Sequence, residues 1–262
     1  MIRINSSKAG KALLLRAAKQ REKIENQLKT RRRRTRKTPF YVRHPFEGAH
    51  SIRSADQRGL VDFDIGIFYN RIPKAANSTV VTTIARIKEN QEREIRDIKR
   101  DFLSPSELTQ EQVDAFANLL KFTVVRDPYS RALSAYLDKV ARGGRCPKEL
   151  IKKNGSPPSF GEFCTYLEHG GLFADPHWTP QTELLLLKPI EFDSIIKMDD
   201  LATHLPSLLS RVTPNSTQDL TLHIPHQTGA SSQIKNYYTS KTYRAVTELY
   251  KRDFVELDFE RI

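Results

Sequence analysis

The chain has 262 residues, of which 38% are hydrophobic, so it is long enough to bury one sizeable core as an ordinary globular protein. Its formal net charge of +12 lies in residues 1–43, which hold 15 Lys and Arg against two Glu, while the other 219 residues carry 28 basic and 29 acidic side chains. This distribution argues against a uniformly cationic, nucleic-acid-binding body.

Residues 1–43 are predicted to form a basic N-terminal extension, helical or disordered, ahead of one folded domain at residues 44–262. The run Arg31–Arg34 can attract any polyanion, whether nucleic acid, anionic lipid or acidic polysaccharide. No aromatic residue interrupts that run, which argues against a module that stacks bases. The apolar run Ala12–Leu15 is too short for a membrane span or a signal-peptide core.

Cys146 and Cys164 are the only cysteines, and two are too few for a disulfide framework. Neither belongs to a CxxC pair, so the cysteines predict no zinc site. The simplest interpretation is a reduced, cytoplasmic protein.

After the helix breakers Pro39 and Pro45, the predicted elements alternate between strand and helix. A strand at residues 65–69 precedes a long amphipathic helix that ends at Ser104–Pro105. The apolar residues that recur there with helical spacing are Ile84, Ile87, Ile95 and Ile98.

A capping box formed by Thr109 and Gln112 predicts a shorter helix, which is followed by a strand around Phe122. Residues 192–196 are a third candidate strand. A last helix, able to cover a face of the sheet, has apolar positions at Tyr243, Val246, Leu249 and Tyr250. This alternation favours an α/β fold with a parallel sheet flanked by helices, in which ligands bind beyond the carboxyl ends of the strands.

The strand at 65–69 leads into a loop with the composition of an anion-binding turn. Pro73 fixes the start of the loop and Lys74 supplies a mobile positive charge. The small or polar residues that follow are Ala75, Ala76, Asn77, Ser78 and Thr79. They allow a phosphate to approach backbone N–H groups at a helix N-terminus. The alternative is a plain strand-to-helix turn capped by Asn77 or Ser78.

A second unit runs from the strand at Phe122 into a helix that starts near Pro128. Arg126, at the end of the strand, offers a planar fork to phosphate oxygens, and Ser134 can donate a hydroxyl hydrogen bond to the same group. The alternative is that Arg126 pairs with a carboxylate such as Asp127 and that Ser134 bonds a helix carbonyl. Together the two units predict a ligand with two phosphate-like groups.

The helix of this second unit is predicted to have two faces. At about 100° per residue, Arg131, Ser134 and Asp138 fall on one polar face. The opposite, apolar stripe consists of Leu133, Tyr136, Leu137 and Val140.

These stretches resemble the motifs of a known family. Pro73–Thr79 looks like the 5′-phosphosulfate loop, and Arg126–Ser134 like the 3′-phosphate motif, of sulfotransferases that use 3′-phosphoadenosine 5′-phosphosulfate (PAPS). The closer likeness is to carbohydrate sulfotransferases of the Golgi-type group and their bacterial relatives. Three more stretches match, at residues 175–181, 192–201 and 249–254, so the resemblance covers roughly residues 63–259.

The resemblance implies a nucleotide-kinase-like, P-loop-type fold and transfer of a sulfuryl group from PAPS to a hydroxyl of a carbohydrate or related acceptor. It further implies that Lys74 contacts the bridging oxygen of the leaving phosphate and that residues 75–79 surround the 5′-phosphosulfate. Arg126 and Ser134 would hold the 3′-phosphate. Many relatives have a glycine where this chain reads Ala76–Asn77, so close approach is expected to use the small side chain of alanine and a left-handed asparagine.

An acceptor hydroxyl needs a base, and His177 is the first candidate because its ordinary pKa lies near neutrality. His177 is alternatively one half of a loop anchor with Trp178, which is itself either a core residue or a platform for a sugar. Asp175, Glu183 and His226 are further candidate bases. No metal is expected, since positioning and charge stabilisation suffice on the donor side.

Two other functions are compatible with parts of the sequence. An ATP-dependent small-molecule kinase can use a similar sheet, but the triphosphate-loop pattern GxxxxGK[ST] is absent and Lys74 precedes the small residues. A degenerate domain with a polyanion-binding tail is the other alternative, which the intact Lys74, Arg126 and Ser134 argue against. The sequence identifies neither the acceptor nor the oligomeric state.

Overall fold

The computed structural model describes residues 35–89, 98, 100–142, 144, 146–152, 154–213, 222 and 229–262. Four features named from the sequence lie outside these residues, namely the Ala12–Leu15 run, the Arg31–Arg34 run, Ile95 and His226. No helix within the described ranges is long and apolar enough to cross a membrane.

A four-stranded sheet in the order β1-β2-β3-β4 forms the centre of the described part. Its strands are β1 (Gly59–Asp62), β2 (Ile67–Asn70), β3 (Leu120–Val125) and β4 (Ser194–Lys197). β2, β3 and β4 are mutually parallel, which confirms the predicted α/β fold, while β1 pairs antiparallel with β2. β1 was not predicted, and β2 starts later than expected because Gly66, with a φ of 82°, belongs to the turn between β1 and β2.

Helices surround the sheet. They are α1 (Pro39–Arg43), α2 (Ile52–Asp56), α3 (Asn77–Glu89), α4 (Gln110–Ala115), α5 (Pro128–Ala135), α6 (Phe160–Glu168), α7 (Leu201–Ser210), α8 (Ala230–Tyr237), α9 (Ser240–Leu249) and α10 (Lys251–Glu256). α4 begins with the predicted capping box, in which the Thr109 side chain accepts from the Gln112 N–H and the Gln112 side chain accepts from the Thr109 N–H. α5 continues into a π-helical turn, Tyr136–Ala141.

The two faces of the sheet have separate cores because side chains alternate along a strand. On one face, Tyr69 and Phe122 stack with ring centroids 4.9 Å apart and belong to a buried cluster with residues of α3 and α7. On the other face, Phe68 contacts Phe116 and Phe40, and Phe40 of α1 is fully buried. The described end of the predicted basic extension therefore contributes side chains to the core.

A third apolar cluster lies among helices rather than on the sheet. It joins α5, α6 and α9, and includes Tyr129, Phe163, Val246 and Tyr250. The expectation that the last helix covers a face of the sheet is therefore wrong, since α9 packs against α5 and α6. Its aromatic stripe meets other aromatic rings, such as Tyr129, whose ring centroid lies 5.3 Å from that of Tyr243.

Candidate active site

The loop between β2 and α3 alternates in the sign of its φ angles. Lys74 and Ala76 have φ values of 69° and 51°, whereas Pro73, Ala75 and Asn77 have negative φ. Such alternation turns neighbouring N–H groups toward one side and forms an anion-binding concavity. Because α3 starts directly after it, the N–H groups of its first turn have no acceptor within the helix. The loop thus has the backbone geometry of a phosphate-binding turn.

Ala76 has the left-handed conformation that the sequence suggested for Asn77. That expectation is wrong because Asn77 is already the first residue of α3, where φ is negative. The capping alternatives at Asn77 and Ser78 do not hold either, since Ala76 precedes the helix and its carbonyl accepts from the Val80 N–H at 3.1 Å. A left-handed alanine costs about 1–2 kcal/mol. Strain of this kind is concentrated at functional loops.

The side chain of Lys74, in this loop, is held by the carboxylate of Asp138. Its Nζ lies 2.9 Å from Oδ2 of Asp138, which also pairs with Lys139 at 2.9 Å. Burial lowers the pKa of Lys74, and its hydrogen bond to Asp138 opposes that shift. Burial acts to raise the pKa of Asp138, but the hydrogen bonds from Lys139 and Lys74 outweigh it and lower that pKa to about 2. An ionised Asp138 therefore fixes the position of Lys74 throughout the neutral pH range.

Arg126 connects the two predicted phosphate-binding units. Its guanidinium donates to the Lys74 carbonyl at 3.3 Å and to the hydroxyls of Ser130 and Ser231, both at 3.1 Å. Only 7% of Arg126 is exposed, and burial lowers its pKa, although arginine stays protonated in proteins. In the described ranges no carboxylate lies within ion-pair distance of it. The alternative pairing with Asp127 is absent because Asp127 caps α5, accepting from the Ser130 N–H at 2.7 Å.

The helix that follows Arg126 is buried on its polar face as well as on its apolar face. Every residue of α5 is buried, including Arg131 and Ser134, which are 0% and 1% exposed. The predicted apolar stripe is buried at Leu133, Tyr136 and Val140. The polar face is therefore internal to the protein at Arg131 and Ser134, whereas Asp138 at its end is partly exposed.

Arg131 ties two loops together through a single guanidinium. It donates to the Pro73 carbonyl at 3.0 Å, to the Pro176 carbonyl at 3.1 Å and to the Thr179 carbonyl at 2.7 Å. Pro73 comes directly before Lys74, and Pro176 directly before His177. Arg131 therefore bonds the carbonyl that precedes each of the two residues predicted to be catalytic. Arg131 thereby places the Lys74 loop beside the segment that carries His177.

His177 forms a pair with Asp175. The Asp175 carboxylate lies 2.5 Å from Nδ1 of His177 and accepts from the His177 N–H at 2.8 Å. A carboxylate at Nδ1 favours the tautomer that carries its proton there, which leaves Nε2 as the nitrogen able to accept one. Asp175 is thus a partner of His177, which it contacts at both the ring and the backbone N–H.

The rest of the 175–181 segment is structural. Trp178 is 2% exposed, donates from Nε1 to the Gly171 carbonyl at 2.9 Å and packs edge-on against Phe163. It is therefore a core residue and not a platform for a sugar. The Gln181 side chain bonds the N–H and the carbonyl of Arg126, both at 2.8 Å, and its own N–H donates to the buried Asp253 carboxylate at 2.7 Å. This network fixes the end of β3.

The remaining candidate base in the described ranges is engaged elsewhere. Glu183 pairs with Arg252 and accepts from the Ala49 N–H at 2.8 Å. Sequence reasoning missed His50, whose Nε2 lies 2.6 Å from the Thr179 hydroxyl. Burial, followed by the charge of Arg58, lowers the pKa of His50. No motif marked His50, because it reaches this segment from a loop far away in the sequence.

Ser231 was also missed. It stands at the start of α8, 105 residues from Arg126, and contacts the arginine directly. The only local signal is Gly229, which precedes α8 with a left-handed φ of 61°. Across the ranges described, no group of three or more His, Cys, Asp or Glu side chains is arranged to hold a metal ion.

Comparison with models of protein families found a match that covers most of the chain. A model of the family described as "Sulfotransferase family" matches residues 57–260. That range contains every described residue of the candidate site except His50. The searches of curated proteins and of solved structures found no match.

Proposed function

The chain belongs to the sulfotransferase family, and from this premise we propose that it transfers the sulfuryl group of PAPS to a hydroxyl of a carbohydrate or related acceptor. PAPS, as the donor substrate, supplies an activated sulfuryl group joined to a phosphate that can leave. The single observation that carries the proposal is the hydrogen bond from Arg126 to the Lys74 carbonyl. It supports one continuous nucleotide site, in which both phosphate-binding units contact the same donor.

The described residues suit such a donor. The alternating backbone of residues 73–77 and the first turn of α3 present N–H groups for a 5′-phosphosulfate. Arg126, with Ser134 buried on the helix that follows, supplies charge and a hydroxyl for a 3′-phosphate. Ser231 is added to this group because it contacts Arg126.

Lys74 and His177 carry the chemical roles in this proposal. Lys74 neutralises the negative charge that develops on the leaving phosphate oxygen, and Asp138 orients the ammonium group for this task. His177 takes the proton that the acceptor hydroxyl loses, with Asp175 stabilising the resulting imidazolium. Arg131 does not touch the reacting atoms and acts as a positioning residue between these two groups.

Nucleotide binding tests the proposal. We expect adenosine 3′,5′-bisphosphate to raise the thermal unfolding temperature more than ATP does, because two separate phosphate-binding units favour phosphates at both the 3′ and the 5′ position. AMP serves as the control that lacks the 3′-phosphate. An equal or larger shift with ATP would reject PAPS use and favour the kinase alternative.

The variant Arg126→Lys sharpens this test. A lysine ammonium cannot replace a planar guanidinium that makes three hydrogen bonds, so the preference for adenosine 3′,5′-bisphosphate over AMP should fall about tenfold or more. Affinity for AMP should change less. A preference that survives the substitution would remove Arg126 from the 3′-phosphate site.

We also propose that the basic extension contacts polyanions. Since Phe40 and Tyr41 are buried, a truncation that tests this should stop before Thr35 and remove residues 1–34 only. The truncated protein should bind heparin–agarose more weakly while keeping its unfolding temperature. Unchanged retention on the column would contradict a role for the extension.

A further inference from the structure

A cleft of about 990 Å³ lies beside α6, between residues 149–152 and the facing ends of α8 and α9. Its volume is at the upper end of the range for small-molecule sites. None of the donor-binding or catalytic residues assigned above lines it. The cleft is therefore separate from the residues assigned to the nucleotide.

One wall of the cleft is connected to His177. The ring of Tyr166 covers Gly171 so closely that a Cβ at residue 171 would lie 2.2 Å from a ring carbon. Gly171 in turn accepts the hydrogen bond of Trp178, the neighbour of His177. Burial raises the pKa of Tyr166, and the charges of Glu149 and Asp175 add to that shift, so Tyr166 lies within the field of the His177 partner.

Another part of the lining is connected to Lys74 through a chain of contacts. Pro158, which lines the cleft, accepts a 2.8 Å hydrogen bond from the Tyr136 hydroxyl. Tyr136 begins the π-helical turn that carries Asp138, the partner of Lys74. A π-helical turn is rare and is frequent at functional sites. His177 and Lys74 are thus each connected, through neighbouring residues, to side chains that line the same cleft.

The lining combines apolar surface with polar side chains, and its charges nearly balance. Three carboxylates, of Glu149, Glu162 and Glu168, face two lysines, and Lys152 pairs with Glu162 at 2.9 Å. Hydroxyls come from Ser159, Thr165, Thr239 and Thr242, and aromatic surface from Tyr166 and Tyr237. Hydroxyl and carboxylate groups hydrogen-bond the hydroxyls of a sugar, and tyrosine rings cover its apolar faces. An excess of carboxylates disfavours a sulfated or uronic-acid-rich chain.

We propose that this cleft is the acceptor site and that it binds an uncharged oligosaccharide, whose reactive hydroxyl extends past Tyr166 toward His177. This inference rests on the proposed function. It restricts the acceptor class to neutral sugars and separates the acceptor site from the polyanion contact proposed for the extension.

Direct binding tests the inference without requiring turnover. Uncharged chito-oligosaccharides and poly-N-acetyllactosamine fragments, together with a chondroitin sulfate hexasaccharide, are titrated by ligand-observed NMR with and without adenosine 3′,5′-bisphosphate. Two cleft variants are compared with wild type. Tyr166→Ala removes the aromatic wall, and Thr165→Trp fills the cleft from an exposed position that tolerates the change. Phe173→Ala is the matched control, because Phe173 is an exposed aromatic residue close to Gly171 that does not line the cleft.

We expect an uncharged oligosaccharide to bind, both cleft variants to weaken it about tenfold or more, and Phe173→Ala to change it less than about twofold. Thermal unfolding shows which variants are folded. If Tyr166→Ala does not fold, a folded Thr165→Trp is sufficient for comparing oligosaccharide binding with that of wild type. Absence of binding by every uncharged sugar, or binding that a folded cleft variant leaves unchanged, overturns the inference. Preferred binding of the sulfated hexasaccharide in the cleft also overturns it. A missing response to adenosine 3′,5′-bisphosphate would instead reject PAPS use, and the sugar result would still be readable.

Discussion

The two predicted phosphate-binding units are built by different means. The loop at residues 73–79 relies on its backbone, with left-handed φ angles at Lys74 and Ala76 and a helix N-terminus behind them. The unit at residues 126–134 relies on buried side chains, and its two arginines bond carbonyls and a hydroxyl from three other segments of the chain. One unit holds strain, whereas the other makes a dense set of internal hydrogen bonds.

This difference predicts that substitutions in the two units have different effects. Changes in the loop should affect the proposed chemical step with little cost in stability, because its charged side chain is held by one partly exposed carboxylate. Changes in the arginine unit should affect folding and positioning together, because each guanidinium there connects segments that are distant in the sequence. Substitutions at four residues test this prediction.

Lys74→Ala should have the largest effect on catalysis. Removing the charge that stabilises the leaving group should lower kcat about 10³-fold, or about 4 kcal/mol, and leave the affinity for adenosine 3′,5′-bisphosphate nearly unchanged. Lys139→Ala is the control, since Lys139 also pairs with Asp138 but has no assigned role. Turnover that survives in Lys74→Ala would remove this lysine from the mechanism.

Arg131→Ala should have the largest effect on stability. Three carbonyls lose their donor, two of them in fully buried contacts, so we expect the free energy of unfolding to fall by about 3 kcal/mol in urea titrations. The exposed Arg244→Ala should change it by less than about 0.5 kcal/mol.

A role in positioning requires more than lost stability. Arg131→Lys, assayed at a temperature where it is folded, should lower kcat more than it raises the KM for PAPS, because one ammonium group cannot hold both the Pro73 and the Pro176 carbonyls. Wild-type kcat in folded Arg131→Lys would reduce Arg131 to a purely structural residue.

Asp138→Asn should have a smaller, pH-dependent effect. The pKa of Asp138 in the folded protein is about 2, below its ordinary 3.8, so the contribution of this carboxylate to stability is complete above about pH 4 and is lost as the pH falls through 2. Because the side chain is partly exposed, we expect a loss of about 1 kcal/mol or less at pH 7. The variant should also lose less stability than wild type between pH 4 and pH 2. Parallel acid-unfolding curves for the two proteins would contradict the Lys74–Asp138 pair.

Ala76→Gly should have the smallest effect and the opposite sign. Glycine relieves the left-handed strain at a φ of 51°, and after its entropic cost the protein should gain about 0.5–1 kcal/mol in urea titrations. Ala75→Gly is the matched control, because Ala75 is fully buried with a negative φ, so the same change should destabilise by about 1 kcal/mol. Stabilisation at both positions would show that the loop is not strained at Ala76.

Local patterns explain what the sequence predicted well. The capping box at Thr109, the strand that ends at Arg126 and the alternation of parallel strands with helices depend on residues a few positions apart, so they are encoded in short stretches. The same holds for the two motifs that resemble sulfotransferase loops, which agree with the family match over residues 57–260.

Several predictions failed or stayed open where distant segments meet. Trp178 is a core residue because its ring packs against Phe163 and its Nε1 donates to the Gly171 carbonyl, and neither contact can be inferred from the sequence around it. His50 and Ser231 reach the site from segments that carry no motif. The left-handed conformation falls on Ala76 because α3 begins one residue later, at Asn77, which the composition of the loop does not specify.

By itself, then, the sequence determined the fold class, because hydrophobic period and turn chemistry act over a few residues. It also contained, in short stretches, the two motifs that resemble sulfotransferase loops. Only the tertiary structure decided that Arg131 joins the Lys74 loop to the His177 segment, that Asp138 holds Lys74, and that α9 packs on helices and walls a cleft. Most of these contacts join residues tens of positions apart, and their formation depends on how whole elements pack rather than on any local preference.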